Sequence, residues 1–176
     1  MTGPSGAPSA GAWGEPRSRT VRWHDPAATA AGMAGRTGLE FMQAIAAGEL
    51  PGAPIAALFA SRVVSVAEGE VVFSCTPDES AYNPIGVVHG GLVCTLLDSV
   101  GGCAVQTTLP AGMGYTSIEI SVRYLRPVHA DGSELTATGR VVKPGRRVAV
   151  AEGEVRDGAG RLVATAATSC LVFPLG

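Results

Sequence analysis

Apolar residues in the first half of the chain change from helical to extended spacing. Residues 39–45 place three apolar side chains on one side of a helix, which predicts a short amphipathic helix. Residues 62–66 and 70–75 are rich in valine and flank a Glu-Gly pair, a pattern that predicts a β-hairpin. A further turn of helix over the core is predicted between these elements, at residues 54–60.

A long apolar segment follows and predicts a buried helix. From residue 92 to 105 the apolar side chains cover most of a helix circumference, which is typical of a helix packed on all sides. Gly101 and Gly102 would each cost about 1 kcal/mol in a helix interior. We therefore expect another backbone to approach the helix closely there. Asp98 is the only charged residue of this segment.

The remainder of the chain predicts four antiparallel strands. Polar and apolar residues alternate in it, with Ile118, Ile120, Val122 and Tyr124 forming the apolar side of the first strand. The strands are predicted at residues 117–125, 134–142, 148–156 and 162–173. A hairpin and one long helix followed by successive strands is an α+β order.

The first 35 residues differ from the rest in composition. They are rich in glycine and alanine without a sustained period, and residues 1–15 have the composition of a disordered segment. Residues 21–26 are apolar enough to dock on the domain. We predict a mostly flexible extension over residues 1–35 and one domain over residues 36–176. The start lacks the basic and apolar regions of a signal peptide, so a cytoplasmic protein is expected.

Composition and charge exclude several classes of partner. The formal net charge is −2 with no block of like charges, whereas a nucleic-acid-binding protein normally carries a basic stripe. No apolar stretch reaches the roughly 20 residues that a membrane span needs. Charged residues make up only 16% of the chain, which indicates surface buried against another subunit. We expect no nucleic acid and no membrane as partner.

The cysteines predict neither a disulfide framework nor a metal site. Cys75, Cys94, Cys103 and Cys170 lie in apolar sequence, and no C-x-x-C pair is present. Their spacing does not fit a set of metal ligands. We expect small buried thiols, and no cofactor.

Candidate chemistry concentrates around the start of the apolar helix. The triplet His89-Gly90-Gly91 directly precedes it, and Asp98 lies two turns inside. A helix N-terminus offers unpaired N–H groups and a positive dipole end, which suit a developing oxyanion. A carboxylate in an apolar helix is either a structural group satisfied by nearby donors or an acid held for chemistry. The combination favours the second interpretation.

This segment resembles the signature of the PaaI-like (phenylacetate-degradation type) hotdog thioesterases. Asn83, the His-Gly-Gly triplet and an acid nine residues after the histidine carry the resemblance, and residues 124–127 resemble the strand ending that follows the helix in that family. The likeness covers about residues 55–173. It implies a hotdog fold, in which an antiparallel sheet wraps around the helix and two protomers join their sheets edge to edge.

The resemblance also implies a role for each residue of the motif. Asp98 would be the general base or nucleophile in the hydrolysis of acyl-CoA thioesters, and the Gly90 N–H would polarise the thioester carbonyl. Asn83 and His89 would shape the pocket and orient substrate or water, and Thr116 would help to hold the attacking water. The expected substrate-binding residues are Gly91, next to the oxyanion donor, and Arg146 and Arg147, whose basic turn could meet the phosphates of coenzyme A.

Spacing along the helix predicts a site shared between two chains. Eight helical steps separate Gly90 from Asp98, a distance of about 12 Å, so one helix cannot supply both groups to the same carbonyl carbon. We therefore expect at least a homodimer, with a homotetramer as the alternative. Three alternatives stay open: a hotdog enoyl-CoA hydratase, which would need a close Asp–His pair, a non-catalytic acyl-CoA-binding protein, and a structural dimerisation domain.

Overall fold

A computed structural model describes residues 10–175, in which six β-strands and four α-helices are found. The helices are α1 (Pro26–Ala31), α2 (Gly38–Ala46), α3 (Pro54–Leu58) and α4 (Gly90–Thr107). The strands are β1 (Ser61–Ala67), β2 (Glu70–Cys75), β3 (Met113–Tyr124), β4 (Leu135–Lys143), β5 (Val148–Arg156) and β6 (Leu162–Pro174). Short 3₁₀ turns span Ala10–Trp13 and Glu79–Ala81.

All six strands form one antiparallel sheet in the order β1-β2-β4-β5-β6-β3. The β1–β2 hairpin turns at Gly69, whose φ of +75° lies in the left-handed region that favours glycine. β3 lies at one end of the sheet and, among the described residues, pairs with β6 alone. The backbone N–H and C=O groups along its outer edge therefore have no partner strand among the described residues.

The long helix α4 lies across the sheet and supplies the centre of the core. Leu97, Val100 and Ala104 have no solvent exposure, and they belong to one apolar cluster with side chains from β2, β4, β5 and β6. Burial of such side chains contributes about 1.5–3 kcal/mol each. The α+β architecture therefore agrees with the sequence-based prediction.

Close contact between α4 and the sheet depends on glycines of the strands. A Cβ atom at Gly139 of β4 would lie 2.2 Å from the Val100 carbonyl oxygen, and one at Gly153 of β5 would lie 3.1 Å from the Leu97 side chain. The expectation that Gly101 and Gly102 receive another backbone is wrong. Their missing Cβ atoms instead make room for side chains of the sheet, Thr168 at 3.1 Å and Tyr115 at 2.4 Å.

One side of α4 is not buried within the chain. Cys94, Thr95 and Asp98 are half-buried, and Gly91 is exposed. The prediction of a helix packed on all sides was therefore wrong for a single chain, because residues 10–175 leave part of this side exposed. The open side of α4 begins at the helix N-terminus and reaches Asp98.

The N-terminal segment lies along the domain at several points. Arg17 pairs with Glu79, and Arg19 pairs with Asp78 at 2.8 Å and donates to the Leu58 carbonyl. Residues 1–9, part of the predicted disordered stretch, lie outside the described residues. The division of the chain at residue 35 stays a prediction.

Most predicted elements coincide with observed ones to within two residues. The exception is β3, which begins at Met113 rather than at residue 117, because residues 113–116 pair with the end of β6. This extra length brings Tyr115 against α4.

We expect Gly139→Ala to destabilise the protein by about 2 kcal/mol or more, because a methyl group there overlaps the α4 backbone. Gly52→Ala is the matched control, since a Cβ at Gly52 meets no atom within 4 Å. Urea unfolding of both variants measures the difference. Equal stability of the two variants would contradict the packing described above.

Candidate active site

The N-terminus of α4 is held by its capping histidine. The His89 backbone N–H donates to the Ala81 carbonyl at 2.7 Å, and His89 Nδ1 accepts from the Gly91 N–H at 2.8 Å. Because Nδ1 is an acceptor, it carries no proton, and the neutral ring holds its proton on Nε2. The Gly91 N–H is therefore occupied by the cap and is not available to a ligand in this conformation.

The Gly90 N–H is the first donor of α4 and finds no protein acceptor among residues 10–175. Its carbonyl accepts from the Tyr124 hydroxyl at 3.0 Å, and a Cβ at Gly90 would lie 3.1 Å from the Tyr124 ring. Glycine at this position thus makes room for the Tyr124 ring. Partial burial, with Cys94 beside the hydroxyl, raises the pKa of Tyr124. Sequence analysis assigned Tyr124 to the apolar side of its strand and to the strand ending that resembles the family, and gave it no contact with Gly90.

Asn83 organises the loop that leads into α4. Its Oδ1 accepts from the Ile85 N–H at 3.1 Å and the Val87 N–H at 3.3 Å, which is an Asx-type turn. Val88 then pairs with Tyr82 in an isolated bridge, and its N–H donates to the Val128 carbonyl. Asn83 therefore shapes the backbone that presents His89 and Gly90.

Asp98 meets a hydroxyl group of the neighbouring strand. Ser117 Oγ donates to Asp98 Oδ1 at 2.7 Å, while no protein donor within residues 10–175 reaches Oδ2. Thr116, the residue expected from the family pattern, lines the same groove without a hydrogen bond to Asp98. Ser117 is thus a residue that sequence analysis missed.

A bulge in β3 explains why Ser117 rather than Thr116 faces the helix. The register of β3 against β6 shifts between Ser117 and Glu119, which adds one unpaired residue, Ile118. Before the bulge, Tyr115 and Ser117 face α4; after it, the half-buried Ile120 and Val122 lie on the core side. A regular strand would have placed Ile118 in the core, whereas 56% of it is exposed.

Asp98 and Ser117 open onto a groove of about 1030 Å³. Its other walls are formed by α2, α3, β1 and the N-terminal segment, with Phe41, Met42 and Ile45 among the apolar side chains. Arg22, Trp23 and His24 also line it. The groove thus has apolar walls from α2 and α3, with Asp98 and Ser117 in one part of it and the cations Arg22 and Arg62 in its lining.

Thiol and phenol groups next to Asp98 are held in their protonated forms. Burial raises the pKa of Cys103 to about 12, and Asp98 adds to the shift, although a hydrogen bond from Tyr115 opposes it. Burial, with the two thiols and Asp98 nearby, also raises the pKa of Tyr115 well above its usual value. Burial raises the pKa of Cys170. These three groups are therefore protonated at neutral pH.

The predicted site residues form three separate groups within one chain. Asn83, His89, Gly90 and Gly91 gather at the N-terminus of α4, and Asp98 and Thr116 line the groove. Arg146 and Arg147 are exposed in the β4–β5 turn, and Arg146 lines a different cavity of about 510 Å³ beside Thr108 and Met113. The chain alone does not bring the three groups together.

Neither a metal cluster nor a membrane span is found in the described part of the chain. Across residues 10–175, no three His, Cys, Asp or Glu side chains gather as metal ligands. Over the same residues, no helix is long and apolar enough to cross a bilayer.

Comparison with known proteins gives a consistent answer. The family model described as thioesterase superfamily matches residues 85–164, which include the α4 motif and Ser117. Human (Homo sapiens) acyl-coenzyme A thioesterase 13 is 31% identical over 103 residues, a stretch that covers 58% of this chain and 72% of that protein. The chain belongs to the thioesterase superfamily.

Solved structures support the fold of this thioesterase. A phenylacetic acid degradation-related protein of Ralstonia eutropha superposes with a TM-score of 0.68 at 27% identity, covering 74% of the thioesterase and 98% of that chain. A Streptococcus mutans protein solved with acetyl-CoA bound gives a TM-score of 0.59 at 27% identity, covering 64% and 88%. The predictions of a hotdog fold, of a PaaI-like thioesterase and of a thioester hydrolase are confirmed.

We expect His89→Ala to lower the free energy of unfolding of the thioesterase by about 1 kcal/mol, because the Gly91 N–H loses its acceptor. Asn is a favourable capping residue, so His89→Asn should recover most of that loss. Urea unfolding of both variants provides the measurement. A histidine-to-alanine protein as stable as the parent would mean that the cap contributes nothing.

Proposed function

We propose that this thioesterase hydrolyses acyl-CoA thioesters to a free acid and coenzyme A, with Asp98 as general base or nucleophile and the Gly90 N–H as oxyanion donor. The observation that carries the proposal is the Asp98 carboxylate, fixed by Ser117 in a largely apolar groove with one oxygen left without a protein donor. The names of relatives, acyl-coenzyme A thioesterase and a protein bound to acetyl-CoA, support the substrate class.

Two routes for Asp98 are compatible with this arrangement. As a general base, the free oxygen takes a proton from a water molecule, whose oxygen forms a bond to the thioester carbonyl carbon. As a nucleophile, the same oxygen bonds to that carbon and a second step hydrolyses the anhydride. In both routes Ser117 donates to Oδ1 and keeps Oδ2 directed at the substrate, so Ser117 acts as a positioning residue.

The leaving group explains why so few groups are needed. Breakage of the carbon–sulfur bond releases a thiolate, and an ordinary thiol has a pKa near 8.5. Its departure therefore needs little help from an acid, in contrast to the alkoxide of an oxygen ester. A donor at the carbonyl oxygen and a base for water are then sufficient.

We infer that the oxyanion donor comes from a second copy of the chain. Gly90 and Asp98 are about 12 Å apart along α4, which is too far for one carbonyl carbon. Two features support a homodimer: the unpaired outer edge of β3 and the open side of α4, which lie next to each other. Ile118, Tyr124 and Leu125, each more than half exposed, add apolar surface to the same region.

Arg146 and Arg147 remain proposed contacts for the phosphates of coenzyme A. They lie beyond the C-terminal end of α4, and ten helical residues place Thr108 about 15 Å from Asp98. The pantetheine arm separates the phosphates of coenzyme A from its thioester, so a phosphate-binding cation should lie well away from the catalytic acid.

We expect Asp98→Asn to lower kcat for acyl-CoA hydrolysis by at least about 10²-fold, because the amide can neither accept the proton nor attack. Ser117→Ala should cause a smaller loss, about tenfold, as the carboxylate loses its fixed orientation. Thiol release from an acyl-CoA series measures both.

Two comparisons complete that experiment. Thr116→Ala distinguishes the two hydroxyls: a larger loss than in Ser117→Ala would assign the role to Thr116, as the family resemblance implied. Glu152→Gln removes an acid from the outer side of the sheet, away from the groove, and should leave turnover unchanged. An Asp98→Asn protein that retains activity within a few-fold of the parent would remove the basis of the proposal.

The Gly90 position allows the oxyanion donor to be deleted alone. Proline is tolerated at the first helical position and lacks only the N–H, and the extended His89 backbone (φ −62°, ψ 136°) permits a following proline. Gly90→Ala is the matched control, because it adds the same Cβ against Tyr124 but keeps the donor. We expect Gly90→Pro to lower kcat by about 10²–10³-fold relative to Gly90→Ala.

Mixing Gly90→Pro with Asp98→Asn then tests whether the site is shared. Random exchange makes half of the dimers mixed, and each mixed dimer carries one intact site, so activity should return to about a quarter of the parent level. Mass spectrometry verifies exchange. Mixed dimers without activity would show that both groups must come from one chain.

A further inference from the structure

The N-terminal segment crosses the groove between two points of attachment. Upstream, Arg19 binds Asp78 and the Leu58 carbonyl. Downstream, Asp25 caps α1, and Thr29 Oγ1 donates to the Pro51 carbonyl at 3.0 Å. Residues 22–24 lie between these attachments and line the groove that contains Asp98. The segment is therefore held at both ends over the apolar part of the groove.

Trp23 is the largest side chain of this segment, and residues 10–175 cover only a smaller part of it. It is 62% exposed, although it lines a groove whose other walls carry Phe41, Met42 and Phe73. Exposure of an indole ring to water is unfavourable, and burial against an apolar ligand would recover part of that free energy. The ring lies at the groove, between the two attachments.

We propose that Trp23 is a specificity-determining residue that forms a wall for the acyl group of the substrate, and that the groove takes long or bulky apolar acyl groups. The inference rests on the proposed function, since it assumes that Asp98 acts on an acyl thioester. The carboxylate fixes where the carbonyl lies, and the apolar walls and Trp23 then line the direction in which the acyl group extends.

The size of the groove favours a large acyl group over a short one. A volume of about 1030 Å³ is at the upper end of the roughly 300–1,000 Å³ of small-molecule pockets, whereas an acetyl group would leave most of it empty. Each methylene buried against such walls should raise kcat/KM about fourfold, until the chain passes the end of the groove.

The chain offers a matched pair for testing Trp23, because it contains only two tryptophans. Trp13 is also exposed, at 73%, but does not line the groove. In Trp13→Phe, the remaining indole fluorescence therefore reports on Trp23. We expect S-dodecyl-coenzyme A, a thioether that cannot be hydrolysed, to shift this emission to shorter wavelength and to protect it from acrylamide, and coenzyme A alone to do neither.

Kinetics provide the second measurement, as the ratio of kcat/KM for dodecanoyl-CoA to that for butyryl-CoA. Trp23→Ala should lower this ratio about tenfold through lost contact with the distal part of the chain. Trp23→Phe should fall between the alanine variant and the parent, and Trp13→Ala should match the parent. Equal loss for both substrates, or an unchanged ratio, would overturn the assignment.

The two measurements separate this inference from the proposed function. If no acyl-CoA is hydrolysed but S-dodecyl-coenzyme A protects Trp23, the hydrolytic proposal fails and the acyl groove stands. If acyl-CoA hydrolysis is found and calorimetry shows that S-dodecyl-coenzyme A binds, but the emission of Trp23 does not change, only the groove assignment fails. Trp23 emission that is already protected in the ligand-free protein would show that a second chain covers the ring, which also overturns it.

Discussion

The contact of α4 with Gly139 and Gly153 is the constraint on which the site depends. These strand glycines let the helix backbone lie against the sheet at Val100 and Leu97. Successive helical residues are rotated by about 100°, so Leu97 directed at the sheet leaves Asp98 directed at its flank. There β3 supplies Ser117. The orientation of the carboxylate is therefore a consequence of core packing, and a change that rotates α4 would misplace Asp98 without touching it.

In the proposed mechanism, the same packing leaves each chain with an incomplete site. The sheet covers one side of α4, and the half-buried side runs from the helix N-terminus to Asp98. This side carries the Gly90 N–H and, two turns further on, the Asp98 carboxylate. On one straight helix these two groups are too far apart to act on the same substrate carbonyl. The unpaired edge of β3 borders this region, so one association could satisfy the backbone edge, cover the exposed apolar side chains and bring a second N-terminus to Asp98.

Periodicity predicts the elements of this fold well, because α4 and the strands carry long, regular patterns. The failures are local and have a common physical origin. Alternation in β3 assigned Ile118 to the core. A bulge at Ile118, which a single sequence does not reveal, places the residues before it on the opposite side of the sheet from the one alternation predicts. Ser117 rather than Thr116 therefore meets Asp98. Likewise, the partner of a helix glycine depends on which strand crosses there, so Tyr115 could not be predicted opposite Gly102.

The residues proposed for catalysis and those proposed for specificity come from different parts of the sequence. Asp98, Ser117 and the capped N-terminus of α4 fall within residues 85–164, the part that matches the thioesterase superfamily. Most of the apolar walls come instead from α2, α3, β1 and the segment with Trp23, which lie outside that match. The upstream attachment of this segment consists of exposed ion pairs, which contribute little stability, and a hydrogen bond to the Leu58 carbonyl. The helix that carries Asp98 is instead anchored by the core. Substitutions in the segment can therefore alter the groove at little cost to folding or to the orientation of Asp98.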